Sequence, residues 1–197
     1  MGTSREAILD AAEAVFAQRG LGGATVSDIC AAANVSRGLP NYLFGSKEQL
    51  YREVVERSAV RLREAVTEPL LTSPPKSLRD AVRRFIDSYV DYLARNAAIV
   101  RLLQWELLSD PASPRPFAPA SRLFGEIYEI FAVATARERA KIDVRTLLAS
   151  TVSLCFFPFV MGTRVPVQML YDGSQASAEE LKRHVTRLIT ASLEGKR

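Results

Sequence analysis

Signals for helix starts recur along this sequence and constrain its fold more than any other feature. A Ser or Thr followed three positions later by Asp, Glu or Gln can cap the first amides of a helix reciprocally. Such pairs precede amphipathic apolar stripes at Thr3–Glu6, Thr25–Asp28, Ser46–Gln49, Ser77–Asp80 and Ser177–Glu180. No alternating strand pattern or internal repeat stands out between them. We therefore predict an all-helical chain of about nine helices.

The first three predicted helices are short and closely spaced. The first ends at Gly20 and the second ends near Asn34, because Asn tolerates the left-handed backbone that a sharp turn requires. Ser36 is then expected to cap a third helix that runs to about Phe44 and accommodates Pro40 in its first turn. Two short helices joined by a tight turn are the arrangement that a helix-turn-helix DNA reader needs.

The third predicted helix carries side chains suited to DNA. Arg37 at its N-terminus can offer a bidentate fork to guanine or phosphate, and Asn41 can pair with an adenine edge. Tyr42, Lys47 and Thr25 supply polar groups for the phosphate backbone. Each has a structural alternative: solvated helix charges for Arg37 and Lys47, core packing for Tyr42 and a helix cap for Thr25. Phe44 is expected in the core.

The run ATVSDICAAANVSRGLPNYLFGSKEQLY combines a threonine before the second helix, small residues, a Val-Ser turn and an aromatic in the third helix. On this run, residues 4–55 resemble the DNA-binding domain of the tetracycline-repressor (TetR) family of bacterial regulators. The resemblance implies a homodimer formed by the last two helices. It also implies that the matching positions face double-stranded DNA. With Gly38 added from the same turn, these positions are Thr25, Ser36, Arg37, Gly38, Leu39, Asn41, Tyr42 and Lys47.

The chain departs from the family pattern at Asn34, where Gly is usual, and at Leu39-Pro40-Asn41, where Thr-Leu-Tyr is frequent. The family pattern therefore does not indicate which DNA sequence is bound. A symmetric dimer would place two recognition helices about 34 to 36 Å apart and so bind a palindromic operator. We predict a helix-turn-helix domain over residues 1–47 and an effector-binding and dimerisation domain over residues 48–197.

The later helices carry large apolar side chains, for which the protein core is the default explanation. The functional alternative is a largely apolar pocket with a few polar groups for a small effector. Rings with a polar atom are the better candidates for such a pocket. The predicted pocket residues are Phe85, Tyr89, Leu102, Trp105, Tyr128, Phe131 and Phe156. Pro158 is expected to kink helix eight or to end it.

Several functional classes lack the residues they need. One His and two Cys provide no metal site, disulfide framework or catalytic constellation, so we expect no cofactor and no enzyme activity. The apolar run 152–162 is too short to span a membrane, and the N-terminus lacks the plan of a secretory signal, which indicates the cytoplasm. The net charge is +4, yet residues 1–52 hold as many acidic as basic side chains, so bulk charge does not locate a DNA reader.

The prediction is a DNA-binding repressor released from its operator by a small, largely apolar effector, with helix four as the lever between reader and body. A helical ligand-binding or scaffold protein without DNA activity is the alternative. An activator, or a repressor without an effector, fits the same residues. The effector, the operator and the regulated genes are not indicated by the sequence.

Overall fold

A computed structural model describes residues 4–108, 118–139, 141–161 and 175–194. Within these ranges the chain is all-helical, which confirms the predicted fold class. The helices are α1 (Ser4–Gly23), α2 (Val26–Ala33), α3 (Leu39–Phe44), α4 (Lys47–Thr72), α5 (Leu78–Arg95), α6 (Ala97–Leu107), α7 (Ala118–Glu138), α8 (Val144–Met161) and α9 (Gln175–Glu194).

The chain divides into two compact units. The first comprises the described residues of Met1–Val60 and Ala97–Pro119, and the second comprises those of Arg61–Asn96 and Ala120–Arg197. This division differs from the predicted boundary at residue 47. The first part of α4 and all of α6 belong to the same unit as α1, α2 and α3. The predicted domain boundary took no account of α6, which returns to the first unit from far along the chain.

The first unit is built around one apolar core. α1 contributes an apolar stripe, and α2, α3, α4 and α6 each add buried side chains to it. Burying such a side chain stabilises the fold by about 1.5–3 kcal/mol relative to leaving it exposed. The largest members of this core are Ile8, Leu9, Phe16, Ile29, Phe44, Leu50, Tyr51 and Leu102.

α1 does not end where the sequence predicts. Its helical geometry breaks at Gly20, where φ is +66°, but a further turn runs on to Gly23. A positive φ favours glycine, because other residues meet steric strain from their Cβ atom there. The predicted stop at Gly20 therefore corresponds to an interruption of the helix. The cap predicted at Thr3 lies outside the described residues.

The second unit packs α5 against α8 and α9. Ser77 caps α5 as predicted, with its hydroxyl accepting a hydrogen bond from the Asp80 amide at 3.1 Å. Eight side chains along α5 are buried, including Phe85 and Tyr89, whose rings stack at 5.4 Å between centroids. Phe131 of α7 meets the Phe85 ring edge-on at 5.9 Å. These aromatic side chains form the centre of the second unit's core.

The last two helices correct two predictions. Of the two outcomes expected at Pro158, a kink or an end, the second is wrong, because α8 continues through the proline to Met161. α9 begins at Gln175, before the predicted Ser177 cap. α8 is also long and apolar enough, by length and composition alone, to cross a membrane, with a mean hydropathy of 1.6 and 28% of the segment buried. A helix that packs against other protein can have the same composition.

Candidate nucleic-acid interface

The N-terminus of α2 is fixed by a reciprocal cap. The Asp28 amide donates to Thr25 Oγ1 at 3.1 Å, while the Thr25 amide and hydroxyl donate to Asp28 Oδ2 at 3.1 and 2.7 Å. Arg19 of α1 adds an ion pair to the same carboxylate at 2.8 Å. The hydrogen bonds from Thr25, with the nearby Arg19 charge, lower the pKa of Asp28. Thr25 is therefore a cap, as predicted, and its side chain remains exposed.

The turn after α2 depends on Asn34. Its backbone is left-handed, at φ 53° and ψ 49°, and its amide donates to the Ala31 carbonyl at 3.3 Å. The Val35 amide then donates to the Cys30 carbonyl at 3.0 Å, which closes the turn. The prediction that Asn34 ends α2 in a left-handed conformation is confirmed. Asn, like Gly, tolerates this geometry because its short side chain can bond locally.

α3 begins at Leu39, two residues later than predicted. Its N-cap is Gly38, and no side chain caps it, so the assignment of Ser36 as the cap is wrong. Ser36 instead uses its backbone carbonyl, which accepts from the Leu39 amide at 3.1 Å. Pro40 in the first turn has no amide to satisfy, which reduces the need for a cap. Arg37 consequently lies in the turn that precedes α3.

The outer surface of this turn and helix is polar and aromatic. Arg37, Asn41 and Tyr42 are all exposed, and the Tyr42 side chain is 85% exposed. This exposure contradicts the alternative that Tyr42 is a core residue. The inner surface of α3 is buried through Pro40 and Phe44, which confirms Phe44 as core. α3 thus packs one face against the rest of the first unit and leaves the other exposed.

Lys47 makes contacts that the sequence does not reveal. Its ammonium donates to the Leu21 carbonyl, in the last turn of α1, at 2.9 Å and to the Ala24 carbonyl, between α1 and α2, at 3.1 Å. A lysine ammonium has three donors, so one remains for another acceptor. No spacing rule connects Lys47 with carbonyls more than twenty residues earlier, and sequence reasoning could not have found them.

Arg5 supports α3 from the other side of the core. Its guanidinium lies 5.0 Å from the centre of the Phe44 ring, in cation–π geometry, and also pairs with Glu53 of α4. A contact of this kind stabilises by about 0.5–1 kcal/mol at exposed sites. The role of Arg5 was not predicted, because its partners lie far along the chain.

The predicted pocket residues fall into two groups. Phe85, Tyr89 and Phe131 lie together and are buried in the second unit, where Tyr128 and Phe156 are half-buried on α7 and α8. Leu102 and Trp105 differ from the prediction, because both belong to the first unit. There Leu102 is part of the core and the Trp105 indole donates to the Ala17 carbonyl at 3.2 Å.

Burial shapes the chemistry of the second unit's interior. Removal from water raises the pKa of Tyr89 and raises that of the Cys155 thiol to about 12, because both charged forms lose solvation. Cys155 is fully buried and stays a thiol at neutral pH. A cavity of about 330 Å³ lies between α8 and α9, lined by side chains such as Leu147, Ser150 and Leu188. None of the predicted pocket residues lines this cavity.

In the part of the chain that the structure describes, no cluster of three or more His, Cys, Asp or Glu side chains could hold a metal ion. The site described above therefore consists of a capped α2, a left-handed turn and an α3 with an exposed outer face. This is the geometry of a helix-turn-helix DNA-binding protein.

Family models agree with that class. Residues 8–54 match the model of bacterial regulatory proteins of the tetR family, and residues 79–191 match that of the tetracyclin repressor-like C-terminal domain. The chain therefore belongs to the TetR family, a family of DNA-binding transcriptional regulators. Because these proteins are regulators, the prediction that the chain is not an enzyme is confirmed.

Individual relatives extend this picture. The chain is 30% identical to the HTH-type transcriptional repressor SCO4008 of Streptomyces coelicolor over 135 residues, which is 68% of this chain and 65% of that repressor. It spans less than two thirds of the length of this and several other curated relatives.

Solved structures show the same fold at lower identity. The TetR family regulator PfmR from Thermus thermophilus is 21% identical, with a TM-score of 0.74 over 98% of this chain and 97% of that one. The regulator FadR from Bacillus subtilis, in complex with stearoyl-CoA, is 17% identical, with a TM-score of 0.73 over 98% of this chain and 99% of that one.

Proposed function

We propose that this protein is a homodimeric transcriptional repressor that binds a palindromic operator in the cytoplasm and is released from it by a small, largely apolar effector. The observation that carries the DNA-binding part is the exposed outer face of the turn and α3, above all the 85% exposed Tyr42. An aromatic side chain held in water on a rigid helix gains most when a partner covers it. The repressor of S. coelicolor supports the direction of regulation.

The proposed DNA contacts divide by chemistry. Arg37 and Asn41 are placed to reach base edges or phosphate, and Tyr42 supplies a hydroxyl. Thr25 is exposed at the start of α2, and its hydroxyl can donate to a DNA phosphate by exchanging its hydrogen bond to Asp28 Oδ2. The turn residues bring the backbone close to the duplex. The proposed contact set is Thr25, Ser36, Arg37, Gly38, Leu39, Asn41 and Tyr42. Lys47, the remaining predicted residue, uses its ammonium to bind the Leu21 and Ala24 carbonyls and is not counted as a direct contact.

Exposed apolar side chains on α8 and α9 support the proposed homodimer. Leu154 is 39%, Phe157 59% and Leu188 47% exposed, and only 28% of the apolar α8 is buried. Large apolar side chains exposed near one another favour a contact with other protein, since a contiguous apolar patch is uncommon on a monomer. We assign it to a second copy of the chain, since two readers are needed for a palindromic site.

The aromatic core of the second unit supports the proposed effector site. Phe85, Tyr89 and Phe131 are packed together, and Tyr128 and Phe156 are the half-buried aromatics that complete the proposed lining. A protein of the same fold, B. subtilis FadR, holds stearoyl-CoA, which shows that this fold can accommodate a long apolar group. Leu102 and Trp105 are left out of the lining, because they belong to the first unit.

Release requires only a modest coupling. If the effector favours a dimer in which the recognition helices are wrongly spaced, a coupling of about 1–3 kcal/mol changes operator affinity by up to about a hundredfold. α4 supplies residues to both units and is the proposed lever. An effector that binds without changing operator affinity would contradict this part of the proposal.

The test begins with selection of bound sequences from a random DNA pool at near-physiological salt, because phosphate attraction alone gives sequence-independent binding. One palindrome is expected to be enriched. Its affinity is then measured for the wild-type protein and for Arg37→Ala and Tyr42→Ala, each expected to weaken binding about 5- to 150-fold through loss of about 1–3 kcal/mol.

Arg83→Ala is the matched control, since it also removes one exposed positive charge but lies on α5 in the second unit. Its affinity for the operator should equal that of the wild type. Folded, dimeric protein that enriches no sequence would instead favour a helical ligand-binding module without DNA activity.

A further inference from the structure

The last turn of α1, which follows the break at Gly20, and Ala24 directly precede the Thr25 cap, and these residues, Gly20–Ala24, are here named the α1–α2 connection. Its position therefore sets where α2 starts and, through the turn, where α3 lies. Within it the Ala24 amide donates to the Gly20 carbonyl at 3.2 Å. Three residues of this connection also contact side chains from α4 and α6, which are distant in the sequence.

The first such side chain is Trp105 of α6. A Cβ atom placed on Gly20 would lie 2.9 Å from Cδ2 of the Trp105 ring and 3.1 Å from Cε2 and Cε3. The indole therefore rests directly on the backbone of Gly20, and its Nε1 donates to the Ala17 carbonyl at 3.2 Å. Gly20 meets two requirements at once, a positive φ and the absence of a side chain beneath the ring.

The second is Lys47, the first residue of α4. Its two hydrogen bonds, to the carbonyls of Leu21 and Ala24, hold the remainder of the connection. Hydrogen bonds from a charged donor contribute more to stability than neutral ones. The connection is thus held at its start by an aromatic ring and along its length by an ammonium group.

The end of α6 is itself anchored within the first unit. Leu102 is fully buried in the core, and Glu106 accepts a hydrogen bond from the Tyr51 hydroxyl at 2.6 Å. Burial and the neighbouring carboxylate raise the pKa of Tyr51, so this hydroxyl keeps its proton and remains a donor. The Tyr51 ring also meets Phe16 edge-on at 5.0 Å. Trp105 therefore sits on a segment with little freedom to move away from Gly20.

We propose that Trp105 and Lys47 are positioning residues for DNA recognition, which hold the α1–α2 connection and thereby fix the start of α2 and the presentation of α3. Trp105 acts without touching DNA, and Lys47 acts through the Leu21 and Ala24 carbonyls rather than through a phosphate. This inference rests on the proposed function for its effect on DNA affinity. Its structural part concerns the protein alone.

Amide hydrogen exchange tests the structural part without DNA. In Trp105→Ala the amides of α2 are expected to exchange about tenfold faster than in the wild type, while those of α5 in the second unit keep their rates. Trp105→Phe keeps a ring over Gly20 but loses the bond to Ala17, so it should give an intermediate rate. Unchanged exchange in α2 of Trp105→Ala would overturn the proposal, whatever the protein does with DNA.

Operator affinity and its salt dependence test the functional part. Each phosphate contact contributes about 0.9 to the slope of log K against log salt. Trp105→Ala and Lys47→Met should each bind the selected operator about tenfold more weakly with an unchanged slope, measured on protein shown to be folded by circular dichroism. A slope reduced by about 0.9 in Lys47→Met would mean a direct phosphate contact and would overturn its positioning role.

Two glycine variants complete the experiment. Gly22→Ala is the matched control, because a Cβ there meets nothing within 4 Å, and its operator affinity should be unchanged. Gly20→Ala should weaken binding more in the wild type than in Trp105→Ala, since removing the ring removes the collision. Equal losses in both backgrounds would contradict the contact. Wild-type protein that binds no operator would refute the proposed function alone, because the exchange measurement still decides whether the connection is held.

Discussion

The two units differ in the side chains that they leave at their surfaces. Around α2 and α3, the polar groups that fix the local backbone find partners within the first unit: Asp28 with Thr25 and Arg19, and Lys47 with two carbonyls. In the second unit, α8 leaves apolar side chains such as Phe157 at the surface. The first unit pairs the polar groups around its turn internally, whereas the second leaves apolar side chains exposed, and these are the surface that we propose a second copy of the chain covers.

The largest expected effect is on the free energy of unfolding, which should distinguish a core side chain from a surface one. Phe85→Ala should lower the free energy of unfolding by about 3–5 kcal/mol, because it leaves a cavity beside Tyr89 and Phe131. Tyr42→Ala should change that free energy by no more than about 0.5 kcal/mol, because its ring is exposed. Chemical denaturation followed by circular dichroism measures both. A large loss of stability in Tyr42→Ala would break the comparison.

The next largest effect concerns the exposed apolar side chains of α8. Phe157→Asp should convert a dimer into a monomer at micromolar concentration, because it places a charge in an apolar contact. Phe157→Leu keeps the apolar character and should remain dimeric. Sedimentation velocity over a concentration series distinguishes the two. A wild-type protein that is monomeric throughout the series would show that α8 is covered in some other way.

A smaller effect is expected at the turn. Asn34→Val should lower the free energy of unfolding by about 1–2 kcal/mol, because a β-branched residue is strained at φ 53°. Asn34→Gly is the control and should be as stable as the wild type or slightly more so. Thermal unfolding of the three proteins measures the difference. Equal stability of the Val and Asn proteins would mean that the turn adjusts its backbone.

The smallest effect is the pH dependence of the α2 cap. The pKa of Asp28 is lowered in the folded protein, so its contribution to stability is present above the unfolded-state pKa and is lost as pH falls through the folded value. Asp28→Asn should therefore show a weaker loss of stability between about pH 5 and about pH 2, the range in which a carboxylate with a lowered pKa titrates. Thermal melts across this range test it, and identical profiles would remove Asp28 from the acid response.

The same contrast explains what the sequence could reveal. The Thr25 and Ser77 caps and the left-handed Asn34 are local, since the residues that interact lie within a few positions of one another, and these predictions are confirmed. The start of α3 was misplaced because a tight turn at residues 36–38 and a helical turn have similar local signals. The family resemblance predicted which residues of α3 face outward. It did not predict how far each of them is exposed.

Long-range contacts escaped prediction. Leu102 and Trp105 have the apolar spacing of a body helix, and nothing near them in the sequence shows that α6 packs against α1. The sequence pattern reports that a side chain is buried, but the chain's return path decides what it is buried against. For the same reason, the contacts of Lys47 and Arg5 emerge only from the structure.

The position of Trp105 has a spectroscopic consequence. It is the only tryptophan in the chain, and it lies in the first unit against Gly20. Intrinsic tryptophan emission therefore reports on one unit alone, with no label attached. A fluorescence titration therefore follows what happens around Trp105, and comparison with a direct binding measurement separates mere occupancy from a response in the first unit.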